Sequence, residues 1–226
     1  MATLVDALKY LLSLADPDHI RSIVSQIGTG WVHALLVAVI FSETGLLVGF
    51  FLPGDSLLFA VGFLASQEVF PLLALMGLLM TAAVLGDAVN YYLGRQMGEH
   101  VFEQGRLRFV KHSHLLAAKA FYERHGGKAI VLARFVPIVR TFTPFVAGVA
   151  KMDYSRFVLY NIAGGIGWVA SMMLAGYWLG RIPLVRNNFE IAVLGIVAVS
   201  VAPLFLHGLQ HWLRSRRAAS SLTPGS

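Results

Sequence analysis

Across residues 27–67 the only charged side chains are Glu43 and Asp55, across 71–93 the only one is Asp87, and 157–179 has none. Runs this apolar leave few folds open. Inside a bilayer every backbone N–H and C=O must be satisfied without water, so the spanning solutions are helices or closed barrels. Unbroken runs of about 20 apolar residues are what spanning helices need, whereas a barrel strand alternates over about 10. Charged residues are 13% of the chain, against about one quarter in a soluble domain. Hydrophobic residues make up 57% and the mean hydropathy is +0.68. These values define an all-α integral membrane protein.

Two segments interrupt the apolar pattern. The first, residues 133–148, carries Arg134 and Arg140 together with Pro137 and Pro144, and ends on Gly148. An arginine at the bilayer centre costs about 2.5–3.5 kcal/mol on insertion scales, so two of them require partners or a wet cavity. The prolines remove backbone donors, which membranes tolerate only where protein or water covers the freed groups. The segment therefore reads as a re-entrant, cavity-lining hairpin. The second interruption runs from Glu43 to Asp55 around the turn signal Pro53-Gly54. The apolar piece after it, residues 56–66, is too short to cross at ~1.5 Å per residue. This is the expected tip of a second re-entrant hairpin. The alternative is a kinked helix pair in which Gly45-x-x-x-Gly49 is a packing face.

The expected organisation follows in order. Residues 1–26 hold a short interfacial helix (4–14) and a second start at Pro17, with no cleavable signal peptide. Residues 27–94 form a first repeat, a hairpin followed by a spanning helix. Residues 95–128 are a basic loop, cytoplasmic by the positive-inside rule, with Ser113 capping a surface helix over 114–125 through Leu115, Ala118 and Tyr122. Residues 129–181 form a second repeat, 182–213 a last spanning helix, and 214–226 a basic cytoplasmic tail. Counting back from that tail brings the Arg134 hairpin in from the cytoplasm and the Glu43 hairpin in from outside. Lys151 and Arg156 act as topology determinants, and Trp168, Trp178 and Trp212 as packing and interfacial anchors.

An internal likeness supports the two repeats. Glu43 precedes Pro53 by ten positions, as Arg134 precedes Pro144. The following runs end in Tyr92-Leu93-Gly94-Arg95 and Trp178-Leu179-Gly180-Arg181. Related units of opposite orientation mark inverted-repeat transporters, whose site lies between broken segments at the midplane. The fold expected is an inverted repeat with two opposed re-entrant hairpins, about three full spans and short amphipathic helices.

Opposed tips would bring Glu43 and Asp55 toward Arg134 and Arg140. Guanidinium forks hold phosphate well, so the arginines are the substrate-binding candidates. Glu43 and Asp55, with Asp87 joining, are the proton-coupling candidates, because burial and a neighbouring arginine pull carboxyl protonation in opposite directions. A static salt-bridge cluster that fixes the hairpins is the structural alternative. The chain has no cysteine and its eight histidines lack ligand spacing, so neither a metal nor another cofactor is expected. No P-loop, Gly-x-Ser-x-Gly elbow or His-Glu-x-x-His is present, and the protein is not expected to be an enzyme, a lipid phosphatase included. The net charge of +6 fits cytoplasmic loops against anionic headgroups better than nucleic acid.

At Phe51-x-Pro53-Gly54-Asp55 and Arg134-Phe135-x-Pro137-x-x-Arg140 the chain resembles the DedA family of bacterial inner-membrane proteins, also called the SNARE-associated or VTT-domain family. The resemblance runs from about residue 43 to 181. It implies two opposed re-entrant hairpins, a place in the bacterial cytoplasmic membrane and lipid transport. The family's acidic pair falls on Glu43 and Asp55, and its arginine pair on Arg134 and Arg140. The substrate implied is undecaprenyl phosphate, returned to the cytoplasmic leaflet by a flippase coupled to protons or membrane potential. Phosphatidylethanolamine flipping or scrambling, or a structural membrane-homeostasis role, are the alternatives. A homo-oligomer is compatible with all of these.

Overall fold

The computed structural model describes residues 17–47, 53–104 and 112–186. The expected helix at 4–14, the last span within 182–213 and the basic tail all lie outside those residues, save for a helical turn at Pro183–Arg186. That turn belongs to a compact unit separate from Pro17–Ile182. Among the described residues every regular element is helical.

Helix α1 (Pro17–Ile27) opens on Pro17, where the missing N–H costs nothing. It is bent by 97° from α2 (Thr29–Gly45). The bend falls at Gly28, whose φ of +93° suits a residue without a Cβ. The chain re-enters helix at α3 (Gly54–Ser66), just after Pro53. Helix α4 (Leu72–Gln104) follows, with an apolar part, Leu72–Met97, of 26 residues. At ~1.5 Å per residue that part is about 39 Å long, enough to cross a hydrocarbon core of about 30 Å. Helix α8 (Tyr154–Arg181), 28 residues long, is less apolar but also long enough to cross. Its start is capped by Asp153, whose carboxylate accepts from the Arg156 N–H at 3.1 Å.

Between the two long helices lie α5 (His112–His125), a 3₁₀ turn at Gly126–Lys128, α6 (Ala129–Ala133) and α7 (Pro137–Val149). Several expectations need correcting here. Helix α4 continues to Gln104, so the basic segment 95–128 begins as helix rather than loop. Helix α5 starts at His112, which places Ser113 inside the helix and not at its cap. Ala118 of α5 is fully buried beside Phe142, Phe145 and Val146 of α7, so that face packs on protein instead of resting only on the membrane surface.

Pro144 and Gly148 mark no break. Both lie within α7, and the second interruption covers residues 134–136, with extended backbone at Val136. Pro137 stands at the start of the new helix, where its fixed φ and lost donor are harmless. Pro137, not Pro144, is thus the proline that stands at a helix start, as Pro53 does.

Packing exchanges partners between the two halves. Helix α3 lies chiefly on α8, and α7 lies chiefly on α4, while α2 packs on α4 and α6 on α8. The exchanged contacts are made backbone to backbone at glycine pairs. A Cβ on Gly62 would sit 2.0 Å from the Met173 carbonyl, and one on Gly176 would sit 2.0 Å from that of Phe59. The α4–α7 contact repeats this, with Gly94 against the Phe145 carbonyl and Gly148 against that of Tyr91. Small residues give membrane helices their close approach, since lipid offers no hydrophobic drive for association.

Candidate functional site

The broken helices meet between α4 and α8. At the end of α2, Glu43 is 1% exposed, and its Oε1 accepts from the Gly54 N–H at 3.1 Å, satisfying a free donor at the start of α3. A Cβ at Gly54 would fall 1.4 Å from Glu43 Oε2, so a larger residue there would push this carboxylate out of its place. One turn into α7, Arg140 forks across to the other broken pair. Its Nη2 donates to Glu43 Oε1, and its Nη1 donates to Asp55 Oδ1 at 2.6 Å. The guanidinium lies 5.0 Å from the centre of the Trp168 ring. The indole Nε1–H of Trp168 donates to the same Asp55 Oδ1 at 2.7 Å.

Arg134 stands apart from this cluster. At the break after α6 its Nη2 donates to Asp87 Oδ2 of α4 and, at 2.6 Å, to Asn161 Oδ1 of α8. Asn161 is itself anchored through Nδ2 to the Val84 carbonyl at 2.9 Å. Gly164 of α8 leaves the room Arg134 occupies, since a Cβ there would come within 3.0 Å of its Cδ and Nε. Asn90 completes the frame. Its Nδ2 donates to the Thr44 carbonyl at 3.1 Å and to that of Thr141 at 2.6 Å, tying both broken pairs to α4.

The four charges expected to converge are therefore sorted. Arg140 takes Glu43 and Asp55, and Arg134 takes Asp87. Of the tryptophans expected to pack or to anchor, Trp168 packs, 1% exposed at the centre of the site, Trp178 is 72% exposed on the surface, and Trp212 lies outside the described residues. Trp168, Asn90, Asn161 and Thr141 were not expected from the sequence as site residues. The polar ones carried a signal, an uncharged hydrogen-bonding side chain inside an apolar run, with Asn90 one helical turn from Asp87. Trp168 carried none beyond a seven-residue spacing from Asn161.

A cavity of about 10 Å³ remains, lined by Glu43, Asp87, Arg134, Arg140, Thr141 and Trp168 among others. That is the space of a single water. Of its lining residues, Glu43 Oε2, Arg134 Nε and Thr141 Oγ1 are buried without a hydrogen-bond partner, as is Asn90 Oδ1 nearby in α4. Three carboxylates face two guanidiniums, so arriving negative charge must displace or neutralise a carboxylate. Among the described residues no cluster of His, Asp and Glu has metal-binding geometry.

Residues 52–178 match the VTT domain. The chain is 46% identical to protein DedA of Escherichia coli (strain K12), over 89% of this chain and 92% of that protein. It is 42% identical to an uncharacterised membrane protein of Mycobacterium leprae, over 82% and 84% of the two chains. Inner membrane protein YghB of Escherichia coli (strain K12) is 34% identical, over 85% and 84%. No solved structure matches. This chain belongs to the VTT-domain, or DedA, family of membrane proteins, whose members are regarded as transporters or membrane-homeostasis proteins rather than classical enzymes.

Proposed function

We propose that this protein is a lipid transporter that moves a phosphate-bearing lipid between leaflets of the bacterial cytoplasmic membrane, with undecaprenyl phosphate as the leading substrate. One observation carries the reading: Arg140 directly bridges two carboxylates of the opposite broken helix pair, beside a small cavity that Glu43, Asp87, Arg134 and Arg140 line. A phosphate offers that guanidinium the same bidentate geometry as a carboxylate, so substrate can take the place of Glu43 and Asp55. Each displaced carboxylate that accepts a proton offsets the charge brought in, which couples proton uptake to occupancy, with Asp87 as a further acceptor. A membrane potential would add about 2.3 kcal/mol per charge per 100 mV as bias.

The exchanged packing of α3 on α8 and α7 on α4 supports two opposed re-entrant hairpins related as inverted repeats. In that topology α7 enters from the cytoplasm and the chain's C-terminus is cytoplasmic. A second reading, flipping or scrambling of phosphatidylethanolamine, draws on the acidic excess of the site, which suits a headgroup pairing phosphate with ammonium.

Proteoliposomes test both. Undecaprenyl phosphate should move in wild type under a pH gradient, and movement should fall to background in Glu43→Gln and Arg140→Ala of verified fold. Equal movement in all three would remove the site from the mechanism. Phosphatidylethanolamine movement that persists without the gradient would favour the second reading.

A further inference from the structure

Both carboxylates that Arg140 holds possess a second donor that belongs to a different element. For Glu43 it is the Gly54 N–H, at 3.1 Å. For Asp55 it is the Trp168 indole, which shares Oδ1 with Arg140 at nearly equal distance, 2.7 Å against 2.6 Å. Asp87 has no such reserve and among the described residues is held by Arg134 alone. A buried indole N–H ordinarily finds an acceptor, yet neutral carbonyls would serve. Here it is spent on a carboxylate already paired with arginine, while the ring face lies against Arg140 at 5.0 Å and Arg134 at 5.8 Å.

We propose that Trp168 is a positioning residue that keeps Asp55 held when Arg140 leaves it for a phosphate group. The inference rests on the phosphate-exchange reading of the site above. The costly part of such an exchange is the moment when a buried carboxylate loses its arginine, because an unpartnered buried charge carries its full desolvation penalty. Gly54 offsets that penalty for Glu43; the Asp55 side chain is 43% exposed, and there Trp168 holds the carboxylate in place for the return of Arg140. The indole also stays against the guanidinium through ring-face attraction, so departure and return of Arg140 follow one path.

The test is binding of farnesyl phosphate to the protein in nanodiscs, with farnesol and inorganic phosphate as controls. Trp168→Phe keeps the ring and loses only the N–H. It should weaken farnesyl phosphate binding about tenfold, the scale of one hydrogen bond to a charged group, and leave farnesol unaffected. In an Asp55→Asn background, with no carboxylate to hold, the same change should alter binding by less than about twofold. Equal weakening in both backgrounds, or none in either, would overturn the proposal while leaving the phosphate site intact. Wild-type protein that binds no farnesyl phosphate would overturn the phosphate reading and this proposal together.

A second measurement needs no change at position 168. In protein carrying Trp31→Phe, Trp178→Phe and Trp212→Phe, Trp168 is the only indole left. Its emission should shift with farnesyl phosphate and not with farnesol, and unchanged emission contradicts the proposal. A matching shift with inorganic phosphate supports the same exchange with a free anion as ligand; a shift with farnesyl phosphate alone assigns it to a lipid headgroup.

Discussion

Arg134 and Arg140 lie six residues apart on one segment, yet they are built into the protein in opposite ways. Arg134 is 5% exposed and is bracketed by side chains of both long helices, Asp87 of α4 and Asn161 of α8. Arg140 reaches across to the opposite broken pair, and the Asp55 side chain it holds is 43% exposed. The first arrangement joins elements already packed together, and opening it strands Asp87. The second joins elements that touch little otherwise, and its carboxylates keep other donors when it opens. One arginine is thus built as a brace, and the other is the one that exchanges in the proposed mechanism, although their sequence surroundings are nearly alike.

Several substitutions bear on that contrast. The largest effect on stability is expected from Arg134→Ala, which leaves Asp87 buried and unpaired, at about 3–5 kcal/mol. Thermal unfolding in detergent should show it, and Asp87→Asn in the same chain should recover much of the loss. A smaller loss, about 1–3 kcal/mol, is expected from Gly62→Ala or Gly94→Ala, where the added methyl meets a backbone carbonyl of the partner helix. Similar losses at the two positions would confirm that the α3–α8 and α4–α7 contacts are equivalent; a large loss at only one would break the likeness between the halves. Arg140→Ala should destabilise less than Arg134→Ala while abolishing transport. Least affected should be Asp153→Ala, which removes the α8 cap for about 1 kcal/mol and should leave lipid movement unchanged.

Much of this was legible in the sequence because the bilayer punishes exceptions. The long helices were visible as runs with one charge or none, and the breaks as prolines beside charges in otherwise apolar segments. The partner of each charge was less visible. Glu43, Asp55 and Asp87 are chemically equivalent candidates for either arginine, and only the exchanged packing of α3 and α7 sorts them. Pro144 misled as a counterpart of Pro53 because equal spacing from a charge does not reveal which proline starts a helix. Here α7 accommodates Pro144 internally and begins at Pro137. Ser113 misled likewise, since a serine before an apolar run resembles a cap whether or not the helix starts one residue earlier. Trp168 was invisible as a site residue because a tryptophan in an apolar run packs against its neighbours in most settings. Its role depends on a carboxylate more than a hundred residues away in the chain.

The most direct measurement is inward movement of undecaprenyl phosphate in proteoliposomes containing Arg140→Ala, with thermal unfolding followed on the same preparation. The expected result is a folded protein, more stable than Arg134→Ala, that moves no lipid under a pH gradient that drives the wild type. Wild-type rates of movement in a folded Arg140→Ala protein would contradict it, because no exchange of carboxylate for phosphate at that guanidinium could then be part of transport.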